Sequence, residues 1–143
     1  MITDALQVGH QGRQRMRDYC LAVAEKYTPE GVKVEYRKSL SGRAYTREGR
    51  MCVPRPVTRR SLYVYLHECA HFKLHSKRRK PRYVEEMEAE KWAAAVMRRE
   101  GIEVHTRSIE GGKRYVRYKV HQTLKRGLQC PDAGVMKWCG WWK

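Results

Sequence analysis

The chain has no C-x-x-C pair, no apolar run long enough to cross a membrane, no internal repeat and no low-complexity segment. Its five cysteines, Cys20, Cys52, Cys69, Cys130 and Cys139, are odd in number and scattered. This excludes a zinc knot built on paired thiols and fits reduced thiols better than a disulfide framework. The start, Met1-Ile2-Thr3-Asp4, lacks the basic-then-apolar layout of a signal peptide, so a cytoplasmic protein with no membrane partner is expected. Acidic residues are scarce too: 15 against 31 Lys plus Arg, a net charge of +16. Such an excess attracts nucleic acid or acidic partners with strong salt dependence and carries no specificity of its own. What is present is 41% hydrophobic content over 143 residues, enough for one core, so residues 1–143 are read as a single domain.

Residues 1–12 read as loose, with Gly9 and Gly12 among polar residues, and His10 reads as a surface side chain. From Arg13 to Tyr27, Met16, Tyr19, Cys20, Val23 and Tyr27 recur at three and four and predict an amphipathic helix. Val32 to Tyr36 alternates like a half-buried strand, Arg43 to Tyr45 and Arg50 to Val53 give two more, and the turns Ser41-Gly42 and Glu48-Gly49 suggest a small antiparallel sheet. Pro54-Arg55-Pro56 stops the pairing. Thr58 is placed to cap a helix over Ser61 to Leu74. The basic run Lys77, Arg78, Arg79, Lys80 and Arg82 reads as a loop, Pro81 opens a helix from Tyr83 to Glu100, and Gly101 ends it. Ile102 to Ile109 is expected to be extended as far as Gly111-Gly112. Lys113 to Lys125 fits both a strand and a helix, and Gly127 after Lys125-Arg126 tips it to helix. Trp138, Trp141 and Trp142 mark a tail that packs back on the core. The fold class is α+β.

Within the capped helix lies His67-Glu68-Cys69-Ala70-His71, a His-Glu-x-x-His pattern. Four residues make little more than one turn, so His67 and His71 stack on one face and can share one Zn²⁺, with Glu68 close enough to take a proton from a water. A catalytic zinc takes three protein ligands. His75, two turns from His67, is ~12 Å away along the axis, too far for one ion at Zn–N bonds of ~2.1 Å; it is read as a hydrogen-bonding neighbour. On the next helix Glu86, Ala89, Glu90, Ala93 and Met97 share a face of small residues suited to burial. Carboxylates on such a face need a partner or a metal. Glu85 and Glu88 point elsewhere and fit an ordinary charged face with Lys91, Arg98 and Arg99, although Glu88 stays a rival third ligand.

His67-Glu68-x-x-His71 followed by Glu86-x-x-Ala89-Glu90 resembles the gluzincin metallopeptidases. With Leu74-His75 after the motif and Glu88-Ala89-x-x-Trp92-Ala93-Ala94 beyond a loop, the frame over Thr58 to Met97 looks most like the ImmA/IrrE type, small intracellular zincins found beside phage and mobile-element repressors in prokaryotes. The resemblance implies a minimal zincin-like fold, with the His-Glu-x-x-His helix packed on a second, ligand-bearing helix. It implies Zn²⁺ on His67, His71 and Glu86, with Glu68 as catalytic base and Glu90 orienting a ligand. The activity implied is a zinc-dependent endopeptidase acting on a repressor or other DNA-associated protein or peptide. Such a zincin would deliver Glu68-activated water to a peptide carbonyl, with the strand Arg50 to Val53 free to pair with substrate; Tyr115, Tyr118, His105 and His121 are oxyanion donors by residue type. The alternative is a basic nucleic-acid-binding or interaction protein on the same scaffold, resting on the +16 charge and the Lys77–Arg82 run.

Overall fold

A computed structural model of the chain describes residues 2–75, 80–127 and 131–141, with backbone alone for 2–11. In chain order it forms α1 (Ile2–Tyr27), β1 (Lys33–Arg37), β2 (Arg43–Tyr45), β3 (Arg50–Pro54), α2 (Arg59–Leu74), α3 (Arg82–Arg99), α4 (Thr106–Lys125) and α5 (Ala133–Trp138). The result is the expected α+β class. No helix among the described residues is long and apolar enough to cross a membrane.

Helix α1 begins at Ile2, where a loose stretch was expected. Gly9 and Gly12 each cost ~1 kcal/mol in a helix, but residues 2–12 hold no proline to stop one. Among the described side chains of α1, Cys20, Val23 and Ala24 are buried, while Met16 and Tyr19 on the same stripe stay exposed.

The sheet is mixed, not antiparallel, with strand order β1-β3-β2. β2 and β3 form the expected hairpin, in which Gly49 takes a left-handed φ of 66° at the turn. β1 runs parallel to β3 on its other side. The physical reason is burial: Met51 and Val53 of β3 are fully buried, while β1 has no fully buried residue, so the most apolar strand takes the centre. The segment 38–42 between β1 and β2 leaves room for that crossing. β3 is therefore paired on both edges and cannot accept an added strand; the free edges belong to β1 and β2.

Helix α2 starts as Thr58 dictates. Its side chain accepts from the Ser61 N–H while the Ser61 hydroxyl accepts from the Thr58 N–H, a reciprocal cap. Helix α3 ends at Gly101, φ 75°, where Gly101 N–H bonds Arg98 O and Ile102 N–H bonds Met97 O, the paired closure that a left-handed glycine permits. Helix α4 begins at Thr106 with the His105 Nδ1 accepting from Arg107 N–H, so the extended piece expected to reach Ile109 stops at His105 and Gly111-Gly112 lie inside the helix.

Two apolar clusters result. One joins α1, β3, α2 and the C-terminal half of α3 through residues such as Cys20, Val53, Leu66 and Met97. The other joins Tyr83 at the start of α3 to Val116 and Val120 of α4 and Val135 and Cys139 near α5, so the tail packs back on the core as far as Cys139, with Trp138 partly buried and Trp141 exposed. Helix α3 is common to both, and Glu86 and Glu90 lie on it between them. Lys77, Arg78, Arg79, Cys130, Trp142 and the His10 side chain lie outside the described residues.

Candidate metal centre

Helices α2 and α3 pack antiparallel, so positions pair in a simple register: Tyr63 meets Glu90 and His67 meets Glu86. His67 Nε2 lies 2.8 Å from Glu86 Oε2 and 3.2 Å from His71 Nε2, and His71 Nε2 lies 3.5 Å from the same oxygen. Donors on one tetrahedral ion at ~2.1 Å sit ~3.4 Å apart. All three side chains are buried. Two imidazole nitrogens and a carboxylate oxygen converge within reach of one another, so this group could hold a metal ion. The charges agree. Burial opposes the Glu86 carboxylate, but His67 and His71 hold it far below the usual range. Burial pushes the His67 imidazole down, and Glu86 and Glu90 outweigh it and lift it well above the ordinary histidine value.

Each donor is braced from behind. His67 Nδ1 sits 3.0 Å from Glu90 Oε1, yet the angle is too poor for a well-formed hydrogen bond, leaving this buried nitrogen otherwise unpartnered. An ion on Nε2 would fix the proton on Nδ1 and reward rotation toward Glu90. Glu90 is in turn held by the Tyr63 hydroxyl, which donates to Oε2. Helix α4 closes over it at Gly112, where a Cβ would stand 2.3 Å from Glu90 Oε2; that contact is why a glycine is tolerated in mid-helix. His71 Nδ1 lies 3.1 Å from His75 Nδ1, and His75 Nε2 lies 3.2 Å from Glu88 Oε1. With His71 donating, His75 accepts at Nδ1 and donates at Nε2. Burial lowers the His75 pKa although Glu88 pulls upward, which keeps the ring neutral for that role. Lys80 caps the line by donating to Glu88 Oε2 at 2.8 Å, and Arg82 binds the second oxygen of Glu86 at 3.1 Å.

Glu68 is the carboxylate left over. It is buried, 3.8 Å from His67 Nε2, and has no hydrogen-bonding partner among the described residues. Burial raises its pKa, against the lowering effect of His67 and His71. It faces a cavity of about 680 Å³ bounded by α2, α4, the start of α3 and the segment leading into β2. Gly42 presses on it from that segment: a Cβ there would stand 2.8 Å from Glu68 Cγ. Tyr115 lines the same cavity, its phenol pushed up to about 12 by burial and by the Glu86 carboxylate, and so stays a proton donor at neutral pH.

The structure thus brings together His67, Glu68, His71, Glu86, Glu90 and His75. It places Glu88 on His75 and Lys80, away from the His67/His71 pair, and sets Glu85 3.9 Å from His75; Lys91, Arg98 and Arg99 are not their partners. Of the four oxyanion candidates only Tyr115 lines the cavity: Tyr118 accepts from Gln122, His105 caps α4 and His121 is exposed. Lys80 and Arg82, read in sequence as part of a basic loop and, in the alternative reading, of a nucleic-acid surface, turn toward site carboxylates. Tyr63, Gly42 and Gly112 carry no motif, and a Gly-Gly pair ordinarily marks a turn, so no signal in the sequence pointed to the contact of Gly112 with Glu90. No protein-family model, curated protein or solved structure matches this chain.

Proposed function

We propose that the protein is a zinc-dependent peptidase of the cytoplasm. The observation that carries the reading is Glu68, a buried carboxylate with no hydrogen-bonding partner among the described residues, standing between the converged His67, His71 and Glu86 donors and an open cavity. A structural metal site needs no such group. Two imidazoles and one carboxylate suit Zn²⁺ and leave a coordination position open. When bound, zinc supplies Lewis-acid polarisation of a carbonyl and lowers the pKa of water toward ~7.

The chain's own residues do the rest. Glu68 takes the proton of the attacking water and returns it to the leaving amine; its raised pKa brings it nearer the range useful for both tasks. Glu90 and His75 hold the rings of His67 and His71 in place. Tyr115 is positioned to donate a hydrogen bond to the carbonyl oxygen as it gains charge. The outer edge of β2, Arg43–Tyr45, has no strand partner among the described residues and adjoins the cavity through Gly42 and Arg43, so an extended peptide can add to it as a strand. The resemblance of Thr58 to Met97 to ImmA/IrrE-type zincins agrees with this reading and suggests a DNA-associated protein as substrate.

Metal analysis and peptide digestion test it together. Glu68→Gln is expected to keep one equivalent of zinc and to lose cleavage by a factor on the order of 10²–10⁴. Glu86→Gln is expected to lose the zinc; a Glu86→Gln protein that retains a full equivalent removes Glu86 from the site, and a Glu68→Gln protein that still cleaves ends the proposed mechanism.

A further inference from the structure

The walls of the cavity carry a charge pattern that its floor does not. Its acids are Glu68, Glu86 and Glu90, all buried at the donor cluster. Its cations are Arg43, Arg60, Arg82, Arg107 and Lys119. Arg82 is paired with Glu86, but the other four have no carboxylate partner among the described residues; Arg43 and Lys119 touch only tyrosine rings. In a protein with 15 acids against 31 Lys plus Arg many surface cations go unpaired. What distinguishes these is that they converge on one concave site.

Their placement is ordered. Arg60, Val64 and Glu68 form one stripe along α2; Arg107, Gly111, Tyr115 and Lys119 form another along α4. The starts of the two helices lie at one end, where Arg59 of α2 forms an ion pair at 3.5 Å with Glu103, three residues ahead of α4. Neither helix has an acid in its first turn, so the positive ends of both dipoles add to Arg60 and Arg107. Lys119 lies three turns on, ~18 Å along α4, past the donor cluster and on the side of Arg82. That span matches five or six residues of extended chain at ~3.3 Å each.

We propose that this groove selects peptides bearing carboxylate side chains on both sides of the residue pair held over Glu68; the proposal rests on the peptidase reading. Arg60 and Arg107 take an acidic side chain at one end and Lys119 at the other, while the neutral amide lies above the acidic floor. Arg forks suit carboxylates, and low-dielectric walls concentrate the field. A nucleic-acid strand fits this pattern worse, because its phosphates recur along its whole length and would also lie over the buried carboxylates.

Fluorescence anisotropy on the full-length, zinc-loaded Glu68→Gln protein tests the proposal without turnover. The probes are labelled peptides with Glu on both sides of a central apolar pair, the same peptides with Gln, and a single-stranded DNA dodecamer. The Glu peptides are expected to bind at least tenfold tighter than the Gln peptides in 50 mM salt, with the gap shrinking in 500 mM salt. Arg60→Gln and Arg107→Gln should each narrow that gap about threefold to fivefold, and Arg17→Gln on α1, outside the groove, should leave it intact. Equal affinity for Glu and Gln peptides overturns the proposal. So does DNA binding that exceeds the Glu peptide and falls in the same two variants. Digestion by the wild-type protein separates the readings: cleavage of both peptides without preference keeps the peptidase and ends the charge selection, whereas a clear binding preference with no cleavage keeps an acid-binding groove and ends the peptidase.

Discussion

A methyl group at position 112 would stand 2.3 Å from Glu90 Oε2, and one at position 42 would stand 2.8 Å from Glu68 Cγ. The two contacts separate the proposed functions of the site. Gly112→Ala is expected to push Glu90 off His67 and weaken zinc binding by ~10–100-fold, the usual effect of losing a partner behind a ligand. Gly42→Ala should displace the base, leaving zinc affinity within twofold and cutting peptide turnover. Competition against a chromophoric chelator and peptide digestion measure both, and equal effects of the two variants on metal would refute the division. His67 supplies a pH dependence. Its metal-free pKa stands well above the ordinary value, because Glu86 and Glu90 outweigh the effect of burial. A metal must displace that proton, so affinity rises with pH and falls below the raised pKa by about tenfold per unit for one proton. Calorimetry in buffers of different ionisation enthalpy counts the proton; none released at pH 7 would contradict this. At this scale His67, Glu68 and His71 were legible, since one helical turn sets their relation. Tyr63 was not, because its partner Glu90 lies 27 residues away.

Between elements, the ends of α1 and α3 are joined at Glu100. Its carboxylate accepts from Lys26 at 2.8 Å and from the Tyr27 hydroxyl at 2.7 Å, while its carbonyl accepts from Tyr19. The Lys26 bond, then Tyr27, holds the Glu100 pKa below its ordinary value. A depressed acid contributes stability above its unfolded pKa and loses it as pH falls through the folded one. Glu100→Gln should therefore lower the melting temperature at pH 7, and the gap from wild type should close as pH drops below the ordinary carboxylate range. A gap that persists in acid would assign the effect to packing. Boundaries set by caps were readable at Thr58 and Gly101, whose effects are local. The choice between Glu86 and Glu88 was not: two residues are ~200° apart on a helix, so the choice depends on how α3 is turned against α2. The sheet order escaped for a similar reason, since strand periodicity reports which faces are buried and not which strand takes the centre.

Over the whole molecule, Glu68, Glu86 and Glu90 are buried together between two apolar clusters, an arrangement that like charges disfavour without a cation. Zinc at ~1,000 times its dissociation constant should add ~4 kcal/mol, on the order of 10 °C in a domain of this size. Differential scanning fluorimetry with and without chelator checks this, and a Glu86→Gln protein that shifts as far as wild type would place the ion elsewhere. By itself the sequence determined what is carried within a few residues: the α+β class, the cap at Thr58, the paired histidines with Glu68 beside them, and the surplus of positive charge. The tertiary structure alone decided which glutamate faces them, which strand is central, that α4 closes over Glu90 at Gly112, and that unpaired cations line the groove. The physical reason is range. Helical and strand periods encode contacts between near neighbours, whereas docking register joins residues tens of positions apart, and it emerges only when the two apolar clusters pack and leave the charged seam of α3 between them.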